Sequence, residues 1–264
     1  MNSDGQNKAR FKDVDLHGAE IKGQIDMTGA SFDGTLNAAS LQVGGSLAMQ
    51  SDGQNEASFK DVHLNRAKIE GDLLMNSSAE NRASFKEVKL NGAMITGQID
   101  MHDANFDGTL DAESVQVGDD LSMNSEAQQA SFKDVKLNRA KITGQIDMNG
   151  ANFDGTLDAE SVQVGGDLNM QSDGGNEASF KAVKLNGAKI TGDLQLGAIW
   201  TGDNGEPGSL DLRDAHVGNI KDAKDAWPAR KHLQLDGFRF DHFSRLNFSG
   251  FNEENGAERP GGID

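Results

Sequence analysis

The segment ASFKDVKLNRAKITGQIDM, residues 130–148, decides the fold, because the chain repeats it. It returns as RFKDVDLHGAEIKGQIDM from residue 10, ASFKDVHLNRAKIEGDLLM from 57, ASFKEVKLNGAMITGQIDM from 83 and ASFKAVKLNGAKITGDLQL from 178. Between these copies lies a divergent version, clearest in TLDAESVQVGGDLNM at 156–170, with relatives at 35–49 and 109–123. Both versions reduce to one unit of 21 to 27 residues: four apolar-x-apolar triplets separated by small, polar or glycine residues. Self-similarity at such a period marks a repeat architecture, in which each unit buries its apolar face against the next.

Aligning the units turns each apolar position into a column. One column is Phe11, Phe32, Phe59, Phe85, Phe106, Phe132, Phe153 and Phe180, eight of the 13 Phe, with an Ala two residues before each. Another is Met27, Met49, Met75, Met101, Met123, Met148 and Met170, seven of the nine Met, ending at Leu196. A third runs from Ile21 through Val43, Ile69 and Ile95 to Val217, and a Gly follows two residues later at 23, 45, 71, 97, 144, 166 and 192, interrupted by Asp119. Triplets with both ends apolar have the strand period of two, so their outer side chains share one face. Asn-Gly and Gly-Gly steps recur at the corners without long strands between them, so the chain turns the same way each time and winds into a coil. Identical residues then stack about 4.8 Å apart. The expected fold is all-β: a parallel β-solenoid of about nine coils, a rod of roughly 40 Å.

Two patterns test that winding. In one class of coil the corner residues are Leu then Ala, as in Leu64 and Ala67 or Leu137 and Ala140; in the other the sizes are exchanged, as in Ala38 and Leu41 or Ala159 and Val162. Such an exchange conserves volume when both residues fill one close-packed interior. The outward column Asp15, Asn37, His63, Lys89, Asp111, Lys136, Asp158, Lys184, Asp211 alternates in sign over most of its length. So does the column after each Phe, except at Lys60 and Lys86. Exposed pairs contribute only a few tenths of a kcal/mol each, so these ladders select register more than stability.

The 264 residues hold 42 Asp+Glu against 25 Lys+Arg, a net charge of -17, with 32 Gly, 3 Pro, and neither Cys nor Tyr. The absence of Cys excludes disulfide scaffolds, thiolate metal sites and cysteine catalysis. No apolar run reaches the roughly 20 residues that span a bilayer, and Met1-Asn2-Ser3-Asp4 begins no signal peptide, so a cytoplasmic location is expected. Such a charge argues against nucleic acid and anionic membranes as direct partners.

Organisation follows from the repeat. Residues 1–217 are read as the β-helix domain, 218–251 as a C-terminal cap rich in aromatics (Phe238, Phe240, Phe243), and 252–264 as a disordered tail. KDAKDAWPAR at 221–230 is expected to form a short helix over the last coil. SDGQNKARFKDV at the start copies 51–62, so the chain opens mid-repeat; this predicts a fragment of a longer repeat protein, or an uncapped N-terminal coil that stacks on a partner. Some coils close with two residues, at 28–29, 102–103 and 149–150, and others with long loops, 50–56, 76–82, 124–129 and 171–177, which should project from one edge.

The steps Ala-Ser-Phe-Lys-Asp, Val-Lys-Leu-Asn-Arg and Ala-Lys-Ile-Thr-Gly (130–144) resemble those of pentapeptide-repeat proteins, over roughly residues 9–217. The resemblance implies a right-handed quadrilateral β-helix with the small and the large residue inside. The Gly-Gln-Ile-Asp-Met side departs from it by a sixth residue, and the long loops break the five-residue count. Divergent bacterial relatives with VGGDL and ITGQIDL steps and a WPAR…LDGF segment, like 227–238, resemble the chain more closely. Some carry an oxidoreductase label that no residue here supports.

No enzyme is expected, with no catalytic, cofactor-binding or metal residues assigned. The His at 17, 63, 102, 216, 232 and 242 share no spacing, and no GxGxxG, GxxxxGK[ST] or HExxH occurs. Asp26, Asp100 and Asp147 share a column, but Ala48, Leu74 and Ser122 interrupt it. Calcium is considered at 51–56 and 202–206, where Asp, Asn and Gly also suit turns. The expected role is a structural or protein-interaction scaffold with an unknown protein partner. The alternatives are an acidic DNA mimic acting on an enzyme such as gyrase, and an end-to-end filament unit.

Overall fold

A computed structural model of the chain describes residues 8–173 and 175–245; the tail at 252–264 and the end of the expected cap lie outside them. The chain winds into a parallel β-solenoid of about nine turns, all-β apart from the short 3-10 turns Asp203–Gly205 and Arg230–His232. No helix in the described residues is long and apolar enough to cross a membrane.

Each turn has four sides. Sides one and two form one bent strand, such as Ser58–His63, whose Phe59 and Val62 both point inward. Sides three and four are two-residue strands, such as Lys68–Ile69 and Leu73–Leu74. Every strand pairs in parallel with its counterpart one turn away: Phe59 meets Phe32 and Phe85, Ile95 meets Ile69 and Val117, and Ile99 meets Leu73 and Leu121. The core is therefore a set of ladders. The seven Phe–Phe steps from Phe11 to Phe180 have ring centroids 4.8 to 5.4 Å apart, and Trp200 ends the ladder 6.0 Å from Phe180. All seven Met of the column are at most 1% exposed. The Leu/Ala exchange also holds: Ala38, Leu41, Leu64 and Ala67 are all buried in the one interior.

Two corner devices were not legible in the columns. The corner between sides two and three has a residue in the left-handed region in every turn, at Gly18, Ser40, Arg66, Gly92, Ser114, Arg139, Ser161, Gly187, Asp214 and Gly237. Glycine adopts that conformation without strain, whereas the other types are held in it by the coils on either side. In the divergent coils the bent strand has seven residues, as in Asn105–Asp111, and the extra residue makes a bulge against Ser84–Lys89. Gly108 sits at that bulge because a Cβ there would overlap the Lys86 carbonyl oxygen.

The helix expected at 221–230 is absent. Residues 221–222 end the strand His216–Asp222, Ala223 donates its N–H to the Leu196 carbonyl at 2.8 Å, and only Arg230–His232 makes a 3-10 turn. Pairing with the preceding coil outcompetes local helix formation, and Pro228 biases Trp227 away from helical angles. The aromatic cluster at the C-terminus belongs to the winding itself. Arg239–Arg245 pairs in parallel with His216–Asp222, placing Phe240 over Val217 and Phe243 over Ile220. Phe240 lies 5.8 Å from Phe238 and 6.4 Å from Phe243.

Candidate functional site

The interior is filled by side chains, so any site lies on the outer surface: a side, the loop edge, or an end of the rod. The long loops are strapped down. In each, a Ser two residues beyond the Met column points back into the corner. Ser77 Oγ donates to the Asp103 carbonyl at 2.9 Å and accepts the Ala83 N–H at 2.8 Å; Ser125 Oγ does the same with Gly150 and Ala130, both at 2.8 Å. Ser51, Ser77 and Ser125 are all nearly inaccessible. The recurrent Met-x-Ser was present in the sequence as a signal, but its meaning depends on which carbonyl faces the hydroxyl.

The loops also reach one another, across the short corners 102–103 and 149–150 or directly between the successive loops 50–56 and 76–82. Gln128 Nε2 donates to the carbonyls of Ser78 at 2.9 Å and Ala79 at 3.1 Å, and Arg82 donates to the Gln129 carbonyl. Gln129 Nε2 donates to the Glu177 carbonyl at 2.9 Å, while Asn81 Nδ2 and Ser78 Oγ each reach the Asp52 carbonyl at 2.9 Å. Beneath 124–129, buried Asp103 in the left-handed region (φ 59°) accepts the Glu126 N–H at 2.7 Å and the Ala127 N–H at 2.9 Å. The four loops thus form one hydrogen-bonded polar ledge along an edge of the rod.

The ledge contains a surface crevice of about 590 Å³ between Glu126 and Asp173 with Asn124, Ser125 and Asn176. Asp147 has its carboxyl pushed above the usual range, first by burial and then by the negative charges of Asp173, Asp120 and Glu126, against a lowering by the Asn149 N–H. His102 Nδ1 pairs with Asp100 at 2.8 Å; that bond raises the imidazole pKa, with burial opposing. The other His contacts to carboxylates, His216–Asp241 at 3.5 Å and His232–Glu206 at 3.7 Å, lie on other coils. Among the described residues no three acidic or His side chains cluster as metal ligands do. In the loop considered for calcium, Asp52 Oδ1 accepts the Gln54 N–H at 2.8 Å and the Asn55 N–H at 2.6 Å, a turn-forming arrangement. In the other, Asp203 pairs with Lys181 at 2.8 Å and Glu206 with Lys231 at 2.7 Å.

The sides differ in charge. Along side three a single register column holds exposed Lys68, Lys141, Lys189, His216 and Arg239 with Gln and Met between them. Side four carries Asp72, Asp100, Asp120, Asp147, Asp167 and Asp193, opposed by Lys221 on Asp193. On side two the alternating column pairs as its signs require, with Lys184 3.3 Å from Asp158 and Lys136 4.0 Å from Asp111. A further cleft of about 410 Å³ opens between Ile199, Trp200, Pro207, Trp227 and Pro228, where Trp200 Nε1 donates to the Ala226 carbonyl at 2.7 Å.

Comparison with protein families, curated proteins and solved structures finds no match to this chain.

Proposed function

We propose that the chain is a non-catalytic interaction scaffold, a divergent relative of the pentapeptide-repeat proteins, and that it presents the loop ledge to a protein partner. One observation carries this reading: four loops spread over some 130 residues are hydrogen-bonded to one another and pinned from below, so their polar tips form a preorganised surface. Ordering loops at binding costs affinity, and a ledge already ordered avoids most of that cost. The test exchanges 76–82 and 124–129 for two-residue Asn-Gly corners like 149–150 and compares capture of partners by cross-linking from the native cell. Loss of a partner with the far-UV dichroism unchanged supports the ledge; a partner retained by the short-cornered variant refutes it. A turnover abolished by a single carboxylate change would refute the non-catalytic reading.

The acidic mimic of duplex DNA has the net charge of -17 in its favour. The basic column on side three weighs against it, because mimicry of phosphates needs carboxylates on every presented face. Binding to gyrase that competes with DNA would move the reading to that alternative.

A further inference from the structure

Each end of the described rod leaves apolar residues of the inward columns open. Inside the chain each coil covers the next in one register, so the residues beneath the last coil, Leu212, Val217 and Ile220, are at most 2% exposed. Those occupying the same inward columns on the last coil are not covered: Leu235 is 43% exposed, Phe240 47% and Phe243 54%. At the other end Leu16, Ala19 and Ile21 are only partly buried, although Ile25 and Met27 of the same coil are buried, while Ala38, Leu41 and Val43 stacked against them are at most 2% exposed. Among the described residues, the strand Glu20–Ile21 pairs only with Gln42–Val43, and Arg239–Arg245 only with His216–Asp222.

We propose that the occupant of each end is a second copy of this chain, stacked head to tail so that the last coil of one copy receives the first coil of the next in the internal register. Continuing the columns places Leu16 over Leu235, Ala19 over Phe238 and Ile21 over Phe240. The same register sets exposed Glu20 against Arg239, Lys22 against Asp241 and His17 against Asp236, three juxtapositions of opposite or hydrogen-bonding type around the apolar centre. A two-fold contact between identical ends would run Arg239–Arg245 antiparallel to itself and lose that match. A head-to-tail contact uses two different surfaces and does not close, so copies add into an unbranched rod. Each copy would add ten rungs from Leu16 to Leu235, an axial repeat of about 48 Å. This deepens the scaffold reading by naming one partner, and it uses the ends rather than the loop ledge, so either can fail alone.

The test is sedimentation velocity of the full chain over rising concentration, with electron microscopy of the largest species. Expected is a concentration-dependent series of oligomers that appear as unbranched rods with that repeat. Arg239→Glu alone and Glu20→Arg alone should each weaken association about tenfold, since each turns an attraction into a repulsion. Their equimolar mixture should restore it, because each variant's end then meets an opposite charge on the other. Both positions are exposed, so unchanged dichroism separates lost association from lost folding. A chain that stays monomeric, as it would if its own terminal residues covered an end, overturns the proposal. So do closed dimers, association indifferent to both substitutions, or a mixture that fails to recover.

Discussion

Replacing Phe106 by Ala removes a ring from the middle of the aromatic ladder, where it is 1% exposed and lies 4.9 Å from Phe85 and 5.1 Å from Phe132. Deleting a buried Phe side chain costs about 3–5 kcal/mol, including the cavity left behind. Each ring pair contributes ~0.5–1.5 kcal/mol of this beyond its buried area. The backbone on both sides is held by parallel pairing to neighbouring coils, so collapse into the gap is limited and the upper part of the range applies. Phe11, at the first coil, is only partly buried and has one ring neighbour, Phe32 at 4.8 Å. Phe11→Ala should therefore cost about 1–2 kcal/mol, less than half as much. Against a total stability of the order of 5–15 kcal/mol the central substitution removes a large share. Urea unfolding followed by far-UV dichroism and by the fluorescence of Trp200 and Trp227 measures both variants. Because each coil touches only its neighbours, the central variant is also expected to separate the two probes, the C-terminal Trp residues reporting their own half. A Phe106→Ala variant that costs no more than Phe11→Ala, or under about 1 kcal/mol, would refute the stacked-ladder account.

Three further outcomes follow from the same geometry. Gly108→Ala should destabilise by about 1–3 kcal/mol in thermal or urea unfolding, since its Cβ would strike the Lys86 carbonyl, a backbone atom that cannot swing away. Asp103→Ala removes the acceptor for two amides of the ledge, so hydrogen exchange should lose protection at Glu126 and Ala127, with a stability cost of about 1–3 kcal/mol. Asp147 has a folded-state pKa raised by burial, so its contribution is fully present below the unfolded carboxyl range and is lost as pH rises through the folded value. Asp147→Asn should accordingly match the wild type in acid and exceed it in stability at neutral pH, which a pH series of melting temperatures checks.

The sequence by itself determined the winding, because the residues that stack are near-copies of one another: a column of Phe, one of Met and one of Ile or Val can coexist only if successive coils superpose. It likewise determined the interior, since the Leu/Ala exchange makes sense only for two side chains sharing one volume. The left-handed corners were not readable, because Gly, Ser, Arg and Asp all serve there once neighbouring coils hold the backbone. A helix at 221–230 looked plausible on local grounds and was overruled by pairing with the coil before it. The candidate site was the least legible part. The loops could be counted, but Gln128 meets Ser78 across 50 residues and Arg82 reaches Gln129 across 47. Periodicity speaks only for positions that repeat, and these contacts lie where the repeat is interrupted, so only the folded chain, which brings distant residues into hydrogen-bonding range, decided them.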